Sequence, residues 1–298
     1  MINFPAIVFA VLVAVILSGC ISETPEKPFY SLDAQGRLSY TGRAPVQANV
    51  TPIWSDVPGT SAFKVLFAGR NSTIAGLLWV PEAGDEKKPA FVFLPGAGVG
   101  KEVGKAYAGL LAPYGISVFS LDQRGFGESG GVIASMDDDF SVFQSGGEPS
   151  QYLYFHDALL AFDYLRSRPD VNPSSIVVAG ESMGGRAALV AGGIEPGVRG
   201  VLGISTSGYG RPQMEDANAS LFIRSVDPDS YVLAISPRQV AFIHSAQDRA
   251  VPIADARRSF NLAGQPKRLY EVNCTNHGYC SEMDAAIVES VRGMLGLS

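Results

Sequence analysis

The feature that most constrains the fold is a short apolar stretch that runs into a glycine–serine motif and then into a helix-forming stretch. Residues 176–179 read Ile-Val-Val-Ala, a pattern typical of a strand buried on both faces. Residues 183–191 are rich in Ala and end at two glycines, which predicts a helix. Between them, residues 180–184 read Gly-Glu-Ser-Met-Gly, the Gly-x-Ser-x-Gly pattern of a strained turn that pushes a serine hydroxyl into solvent. The sequence therefore predicts Ser182 as a nucleophile.

A second Gly-x-Ser-x-Gly pattern, at residues 127–131, lacks this context. Five residues separate it from the preceding strand candidate at 116–121, and no helical pattern follows it. We therefore interpret Ser129 as part of a glycine-rich loop.

The rest of the chain alternates between strand and helix patterns. Three strand candidates at 49–57, 62–67 and 72–80 suit an antiparallel hairpin at the start of a sheet. The later strand candidates are 90–94, 116–121, 176–179, 198–204, 239–244 and 269–272, and the helix candidates are 101–111, 151–167, 183–191, 254–262 and 285–297. This alternation predicts an α/β fold, with a mostly parallel eight-stranded sheet and helices on both faces.

Two segments, 131–150 and 206–237, do not fit the alternation. Each follows a strand end on the edge where open α/β sheets place their sites. We expect both to act as lids over the Ser182 pocket. An Asp-Asp-Asp run at 137–139 is interpreted as a solvated loop and not as a metal site, because no His or further carboxylate cluster accompanies it.

The first 20 residues differ from the rest. Residues 4–17 are apolar without interruption, and 17–20 read Leu-Ser-Gly-Cys. This looks like a lipoprotein signal peptide in which Cys20 is lipidated, and an uncleaved membrane anchor is the alternative. Either interpretation places the rest outside the cytoplasm and tethered to a membrane. Residues 21–46 are polar, contain three prolines and predict a tether, and 47–298 predict one domain.

Composition restricts the partners of this domain. The formal charge of −6 and the pI near 5.1 show that the chain is acidic and carries no excess of basic residues, so nucleic-acid binding is disfavoured. The hydrophobic fraction of 46% allows a substantial core. No pattern in the sequence indicates an oligomeric state.

A serine hydroxyl needs a general base, usually a histidine held by a carboxylate. The chain contains three histidines. His156 lies in a predicted helix, and His244 ends a predicted strand, where we expect it to pack. His277 follows the last predicted strand in a short loop at the carboxyl edge of the sheet, and we predict it as the base.

The acid that orients His277 is expected at another strand end between Ser182 and His277. Asp248 is so placed, whereas the fallbacks Asp227 and Asp229 lie in the irregular segment. The order Ser, Asp, His is that of α/β-hydrolases.

The oxyanion of a tetrahedral intermediate needs two N–H donors. We predict the backbone N–H of Met183, directly after the nucleophile, and that of Ala97, in the glycine-containing loop after strand 90–94, with Gly98 as the alternative to Ala97. The same loop fits neither the Walker A pattern nor Gly-x-Gly-x-x-Gly, so no nucleotide site is indicated. No metal or other cofactor is implied.

From about residue 89 the chain resembles the α/β-hydrolase superfamily, most closely the group of dienelactone hydrolases, bile-acid thioesterases and prolyl-oligopeptidase catalytic domains. The resemblance rests on Gly-Glu-Ser-Met-Gly-Gly at 180–185, Asp-Gln-Arg-Gly-Phe-Gly at 122–127, Gln-Asp-Arg-Ala-Val-Pro at 247–252 and Asn-His-Gly at 276–278. It implies that residues 122–127 form a structural loop beside the site. The chain departs from the family at two positions where the family usually has a His-Gly pair. Here Pro95 stands in place of the histidine before Gly96, and Ser245 stands in place of the glycine after His244.

These observations predict a membrane-tethered extracytoplasmic serine hydrolase that cleaves a small ester or related acyl substrate through an acyl-enzyme. A peptidase or thioesterase with the same three residues is the alternative, and so is an inactive binding module with this fold.

The cysteines left after Cys20 flank the predicted base. We predict a disulfide between Cys274 and Cys280 that holds the His277 loop, since an even pair outside the cytoplasm favours one. Two free thiols, or a metal site that would use His277 as a ligand, are the alternatives.

Overall fold

The computed structural model of the protein describes residues 29–84, 86–210 and 212–297. The strands of these ranges are β1 (Tyr30–Leu32), β2 (Leu38–Tyr40), β3 (Ala48–Ile53), β4 (Thr60–Gly69), β5 (Ser72–Pro81), β6 (Lys88–Leu94), β7 (Ser117–Leu121), β8 (Val171–Glu181), β9 (Gly200–Ile204), β10 (Gln239–Ser245) and β11 (Lys267–Val272). The α-helices are α1 (Gly104–Leu111), α2 (Met136–Gln144), α3 (Ser150–Ser167), α4 (Ser182–Ile194), α5 (Ala217–Val226), α6 (Ile253–Leu262) and α7 (Asp284–Leu295).

Strands β3 to β11 form one sheet in the order β11-β10-β9-β8-β6-β7-β5-β4-β3. The strands from β11 to β7 run parallel, and β5, β4 and β3 continue the sheet in antiparallel pairing. This confirms the predicted α/β fold with its mostly parallel sheet. The sheet has nine strands and not the expected eight; all nine strand candidates of the sequence belong to it, and the first of them, 49–57, contains the antiparallel edge strand β3. Most residues of β3 are exposed and it contains Pro52, so its pattern is that of an edge and not of a core strand.

The central strands are buried on both faces. Alternate residues of a strand point to opposite faces of the sheet. Val92 and Val178 belong to the cluster that contains α3 and α4, whereas Phe91, Phe93 and Val177 belong to the cluster that contains α1 and α7. This two-sided burial explains why the sequence shows unbroken apolar runs and no polar–apolar alternation.

Residues 29–46 fold against the domain. Strands β1 and β2 form a separate antiparallel hairpin. The backbone N–H of Leu38 donates to the hydroxyl of Tyr231 over 2.7 Å, and the hydroxyl of Tyr40 donates to the carbonyl of Tyr152 over 2.5 Å. The predicted tether of 21–46 therefore differs from the structure over its described part, where Leu38 is buried and Tyr30 and Tyr40 are half-buried against the domain. The predicted signal segment 1–20, with Cys20, lies outside the described residues, within which no helix is both long and apolar enough to cross a bilayer.

The two segments that break the strand–helix alternation pack on each other. Helix α2 comes from 131–150, and α5 comes from 206–237. The ring of Phe222 in α5 lies 5.7 Å from that of Phe140 and 5.5 Å from that of Phe143 in α2, measured between ring centroids. The two segments therefore form one layer beside the carboxyl edge of the sheet.

Candidate active site

The turn between β8 and α4 has the geometry of a nucleophile elbow. Ser182, the first residue of α4, has a φ of 49°, a value that residues other than glycine rarely adopt. A Cβ at Gly180 would lie 2.4 Å from the backbone of Gly184, and a Cβ at Gly184 would lie 2.0 Å from the carbonyl oxygen of Leu94. Only glycine therefore allows the strand, the helix and the neighbouring β6 to approach this closely.

His277 lies between Ser182 and Asp248. Its Nε2 atom is 2.8 Å from Ser182 Oγ, and its Nδ1 atom is 2.8 Å from Asp248 Oδ2. With the proton on Nδ1, the ring donates to Asp248 and accepts the hydroxyl of Ser182. The structure thus brings together the three residues that the sequence predicts as nucleophile, base and acid.

Asp248 is buried in the loop that follows β10 and is held as a carboxylate. Its Oδ1 atom accepts the backbone N–H groups of Ala250 and Val251 over 2.9 and 3.0 Å. Burial works to raise its pKa, but the hydrogen bonds from Val251, His277 and Ala250 outweigh burial and hold the pKa of Asp248 below its ordinary value. Asp248 therefore presents a fixed negative charge to the imidazole.

The other two histidines have structural positions. His244 is fully buried, its Nε2 atom lies 2.8 Å from the carbonyl oxygen of Val251, and burial lowers its pKa. His156 packs against the rings of Phe29 and Tyr40, and burial, with the nearby arginines, lowers its pKa to about 4.

The fallback acids Asp227 and Asp229 also lie away from His277. They accept the backbone N–H groups of Tyr209 and Gly210 and fix that segment. Asp248 is the carboxylate that meets His277.

The loop after β6 places Ala97, one of the two predicted oxyanion donors, beside the elbow. Val99 N–H donates to the carbonyl of Gly96 over 3.1 Å, and Gly98 has a φ of +70°, which makes residues 96–99 a tight turn. A Cβ at Gly96 would lie 3.6 Å from Ser182 Cβ, so the turn touches the nucleophile. Ala97 and Met183 line the same cleft. Their role as donors stays a prediction.

The loop that carries His277 is held at several points. Cys274 and Cys280 form the predicted disulfide, which confirms that pairing. The hydroxyl of Ser245 donates to the carbonyl of Cys274, and that of Ser205 donates to the carbonyl of Gly278 over 3.2 Å. The base is therefore fixed on both sides of its position in the chain.

Sequence reasoning did not identify Glu181 as a site residue. Its Oε1 atom accepts the hydroxyl of Tyr107 over 2.6 Å, and a Cβ at Gly278 would lie 3.1 Å from its Oε2 atom, so the carboxylate also lies against the loop that carries His277. Burial outweighs the hydrogen bond from Tyr107 and the neighbouring His277 and raises the pKa of Glu181 above its ordinary value. The sequence feature that could have indicated Glu181 is an acidic residue directly before the nucleophile, in an otherwise apolar strand-to-helix turn.

A cleft of about 580 Å³ opens beside the nucleophile. Its walls include Ala97 and Met183, the end of β7 with Gln123, and the 131–136 part of the first irregular segment. That segment therefore lies where we predicted a lid. Ser129 has no part in the cleft wall, because its buried hydroxyl donates to the carbonyl of Asp122 and accepts the N–H of Ala75.

The fold and the Ser-Asp-His order on it define a protein of the α/β-hydrolase class. The chain belongs to the acetyl xylan esterase (AXE1) family, whose family model matches residues 35–207. The matched range contains Ser182 and ends before Asp248 and His277.

The chain is also similar to curated relatives in sequence and to solved structures in fold. The chain is 32% identical over 158 residues to the uncharacterized protein YfhR of Escherichia coli O157:H7, a match that covers 51% of this chain and 50% of that protein. The chain thus spans about half the length of the curated relatives it matches. The acetyl xylan esterase from Paenibacillus sp. R4 superposes with a TM-score of 0.72 at 16% identity, over 84% of this chain and 89% of that one. Acetyl xylan esterase 1 from Thermoanaerobacterium sp. JW/SL YS485 gives 0.69 at 17% identity, over 84% and 88%.

Proposed function

We propose that this chain is a serine esterase that hydrolyses carboxylic esters through an acyl-enzyme. The observation that carries the proposal is the unbroken hydrogen-bonded line from Ser182 Oγ through the His277 ring to Asp248, with both contacts at 2.8 Å. Membership of an esterase family supports ester bonds over peptide or thioester bonds as the substrate.

In the first half-reaction, Ser182 Oγ attacks the ester carbonyl carbon and its proton passes to His277 Nε2. Asp248 stays ionised and stabilises the imidazolium that forms. The backbone N–H groups of Met183 and Ala97 donate to the oxyanion. The C–O bond to the alcohol then breaks, and the alcohol leaves with the proton from His277.

In the second half-reaction, a water molecule gives a proton to His277 and attacks the acyl carbon. The second tetrahedral intermediate collapses, the carboxylic acid leaves, and the proton returns to Ser182. No step requires a metal or another cofactor.

The cleft beside the elbow is the proposed place for the substrate. Val132, Ile133 and Met136 form an apolar wall, and the cleft is open to solvent on one side. Its volume of about 580 Å³ is much larger than an acetyl group needs. We propose that it receives the larger part of an ester whose acyl group is short, in line with the acetyl esters named by the family.

We also propose that Cys20 is lipidated and tethers the domain to the outer side of a membrane. The apolar run at 4–17, the Leu-Ser-Gly-Cys sequence and the Cys274–Cys280 disulfide support this location. Metabolic labelling with radioactive palmitate tests the tether: full-length wild type should incorporate the label and Cys20→Ser should not. Equal labelling of both would contradict lipidation at Cys20.

The experiment for the esterase is hydrolysis of p-nitrophenyl esters from acetate to decanoate by the full-length chain in detergent. Ser182→Ala should abolish turnover and labelling by a fluorophosphonate. Ser129→Ala, which changes the serine of the second Gly-x-Ser-x-Gly pattern, should retain both. Labelling of wild type without ester turnover would favour a peptidase or thioesterase, and failure to label would favour a binding module.

A further inference from the structure

The segment at 122–130 contacts both ends of the loop that carries the predicted oxyanion donor. Asp122 Oδ1 accepts the backbone N–H of Lys101 over 2.8 Å, and Asp122 Oδ2 accepts the Lys101 ammonium over 2.8 Å. The next residue, Gln123, donates from Nε2 to the carbonyl oxygen of Pro95 over 2.6 Å. The loop 95–101 is thus held at its first and last residues by two consecutive side chains from the end of β7.

This loop needs an external constraint. Gly96 and Gly98 allow its peptide planes to rotate at little steric cost, and a rotated plane would point a carbonyl oxygen at the oxyanion in place of an N–H. The turn hydrogen bond from Val99 to Gly96 fixes the plane that ends in the Ala97 N–H. The preceding plane, which begins at Pro95, depends on what holds the Pro95 carbonyl.

Two groups hold that carbonyl oxygen. Helix α4 comes so close that a Cβ at Gly184 would lie 2.3 Å from it, and Gln123 supplies the hydrogen bond. Gln123 is 3% exposed, so its amide is held in place beside this oxygen. The Pro95 carbonyl oxygen is therefore packed against helix α4 on one side and accepts its side-chain hydrogen bond from Gln123.

We propose that Gln123 is a positioning residue for the oxyanion loop: by binding the Pro95 carbonyl it keeps the Pro95–Gly96 peptide turned so that the following N–H groups face the carbonyl oxygen of the substrate. The inference rests on the proposed esterase function. Gln123 is the first variable position of the Asp-x-Arg-Gly-x-Gly motif, and its partner Pro95 is the residue that this chain has in place of the family's histidine.

The test replaces Gln123 by Met, which has a similar length and flexibility but no donor. We expect kcat for p-nitrophenyl acetate to fall by about tenfold to a hundredfold, because a misplaced donor costs up to about that factor. KM should change by less than about threefold, because the N–H groups that Gln123 positions are expected to act on the oxyanion of the transition state and not on the bound ester. The rate of phosphorylation of Ser182 by diethyl p-nitrophenyl phosphate, whose oxygen uses the same donors, should fall in parallel.

Ser129→Ala is the matched control, since it removes a buried hydrogen-bonding group from the same segment on the side of β5. It should lower the melting temperature but keep kcat and the phosphorylation rate. If Gln123→Met does not fold, Gln123→Asn replaces it in the test. Asn keeps the amide group, but its side chain is one methylene shorter and does not reach Pro95. We expect the same fall in kcat and in the phosphorylation rate.

Three results would overturn the proposal. They are an unchanged kcat in folded Gln123→Met, a raised KM with unchanged kcat, and equal losses of rate in Gln123→Met and Ser129→Ala. The ester proposal fails separately if wild type is phosphorylated without hydrolysing esters, and the phosphorylation rates then still test Gln123. If wild type is not phosphorylated, Ser182 is not an activated nucleophile and both proposals fail.

Discussion

The carboxylate of Glu181, directly before the nucleophile, accepts a hydrogen bond of 2.6 Å from the hydroxyl of Tyr107 in α1. Glu181 also lies against the loop that carries His277, since a Cβ at Gly278 would lie 3.1 Å from its Oε2 atom. The ring of Tyr107 stacks on Phe93 at 4.0 Å, which fixes the hydroxyl. One half-buried carboxylate therefore lies between the nucleophile turn, the first helix and the base loop.

Replacing Tyr107 by Phe leaves this carboxylate short of a donor. We expect the free energy of unfolding to fall by about 1–3 kcal/mol, because a hydrogen bond from a buried hydroxyl to a half-buried charged group is costly to lose. Urea denaturation of the full-length chain measures it. Tyr279→Phe removes a hydroxyl that donates to Asp284 over 2.6 Å in a more exposed place, and it should cost clearly less. Equal losses in the two variants would contradict the role given to Glu181.

The residues of the predicted triad could be found from sequence because each follows a strand end, and parallel strands bring their carboxyl ends to one edge. Gln123 and Glu181 could not be found in this way. Their partners, Pro95 and Tyr107, lie 28 and 74 residues away in sequence, and such contacts depend on side-chain packing that no local pattern encodes. The hairpin at residues 29–46 was missed for a related reason, since its few apolar residues are covered by distant ones such as Tyr231.

Asp248→Asn should keep the shape of the triad and remove its negative charge. We expect kcat to fall by about 10³- to 10⁴-fold, because the amide favours the wrong tautomer of His277 and does not stabilise its imidazolium. Stopped-flow or steady-state hydrolysis of p-nitrophenyl acetate measures the loss. A fall of less than about tenfold would show that another group orients His277.

The same variant tests the charge of Asp248 in the folded state. Its folded pKa lies below the ordinary 3.8, so the ionised form stabilises the fold fully above that pH, and this contribution is lost as the pH falls through the folded value. Urea denaturation of wild type and Asp248→Asn between pH 7 and 3 should therefore show a constant difference at neutral pH that narrows below pH 3.8. A difference that widens on acidification would contradict the sign of this shift.

The disulfide between Cys274 and Cys280 should matter more to catalysis than to global stability. Its loop is short, with a sequence separation of 6, so chain entropy gives it about 2 kcal/mol of stabilisation. The double variant Cys274→Ser/Cys280→Ser should lose no more than that in urea denaturation. It should lose kcat by about tenfold or more, since His277 lies inside the loop and depends on its position. Unchanged kcat would show that Ser205, Ser245 and Asp248 hold the loop without the disulfide.

Two glycine-to-alanine changes separate a required glycine from a dispensable one. At Gly184 a Cβ would lie 2.0 Å from the carbonyl oxygen of Leu94, a backbone atom that cannot move without disturbing β6 and the oxyanion loop. Gly184→Ala should therefore abolish activity and strongly destabilise the fold. Gly109 is an exposed residue inside α1 with nothing within 4 Å of its added Cβ. Gly109→Ala should raise the free energy of unfolding by about 0.5–1 kcal/mol, since alanine loses less backbone entropy in a helix, and should leave kcat unchanged. An active Gly184→Ala variant would mean that the elbow can open without loss of the oxyanion geometry.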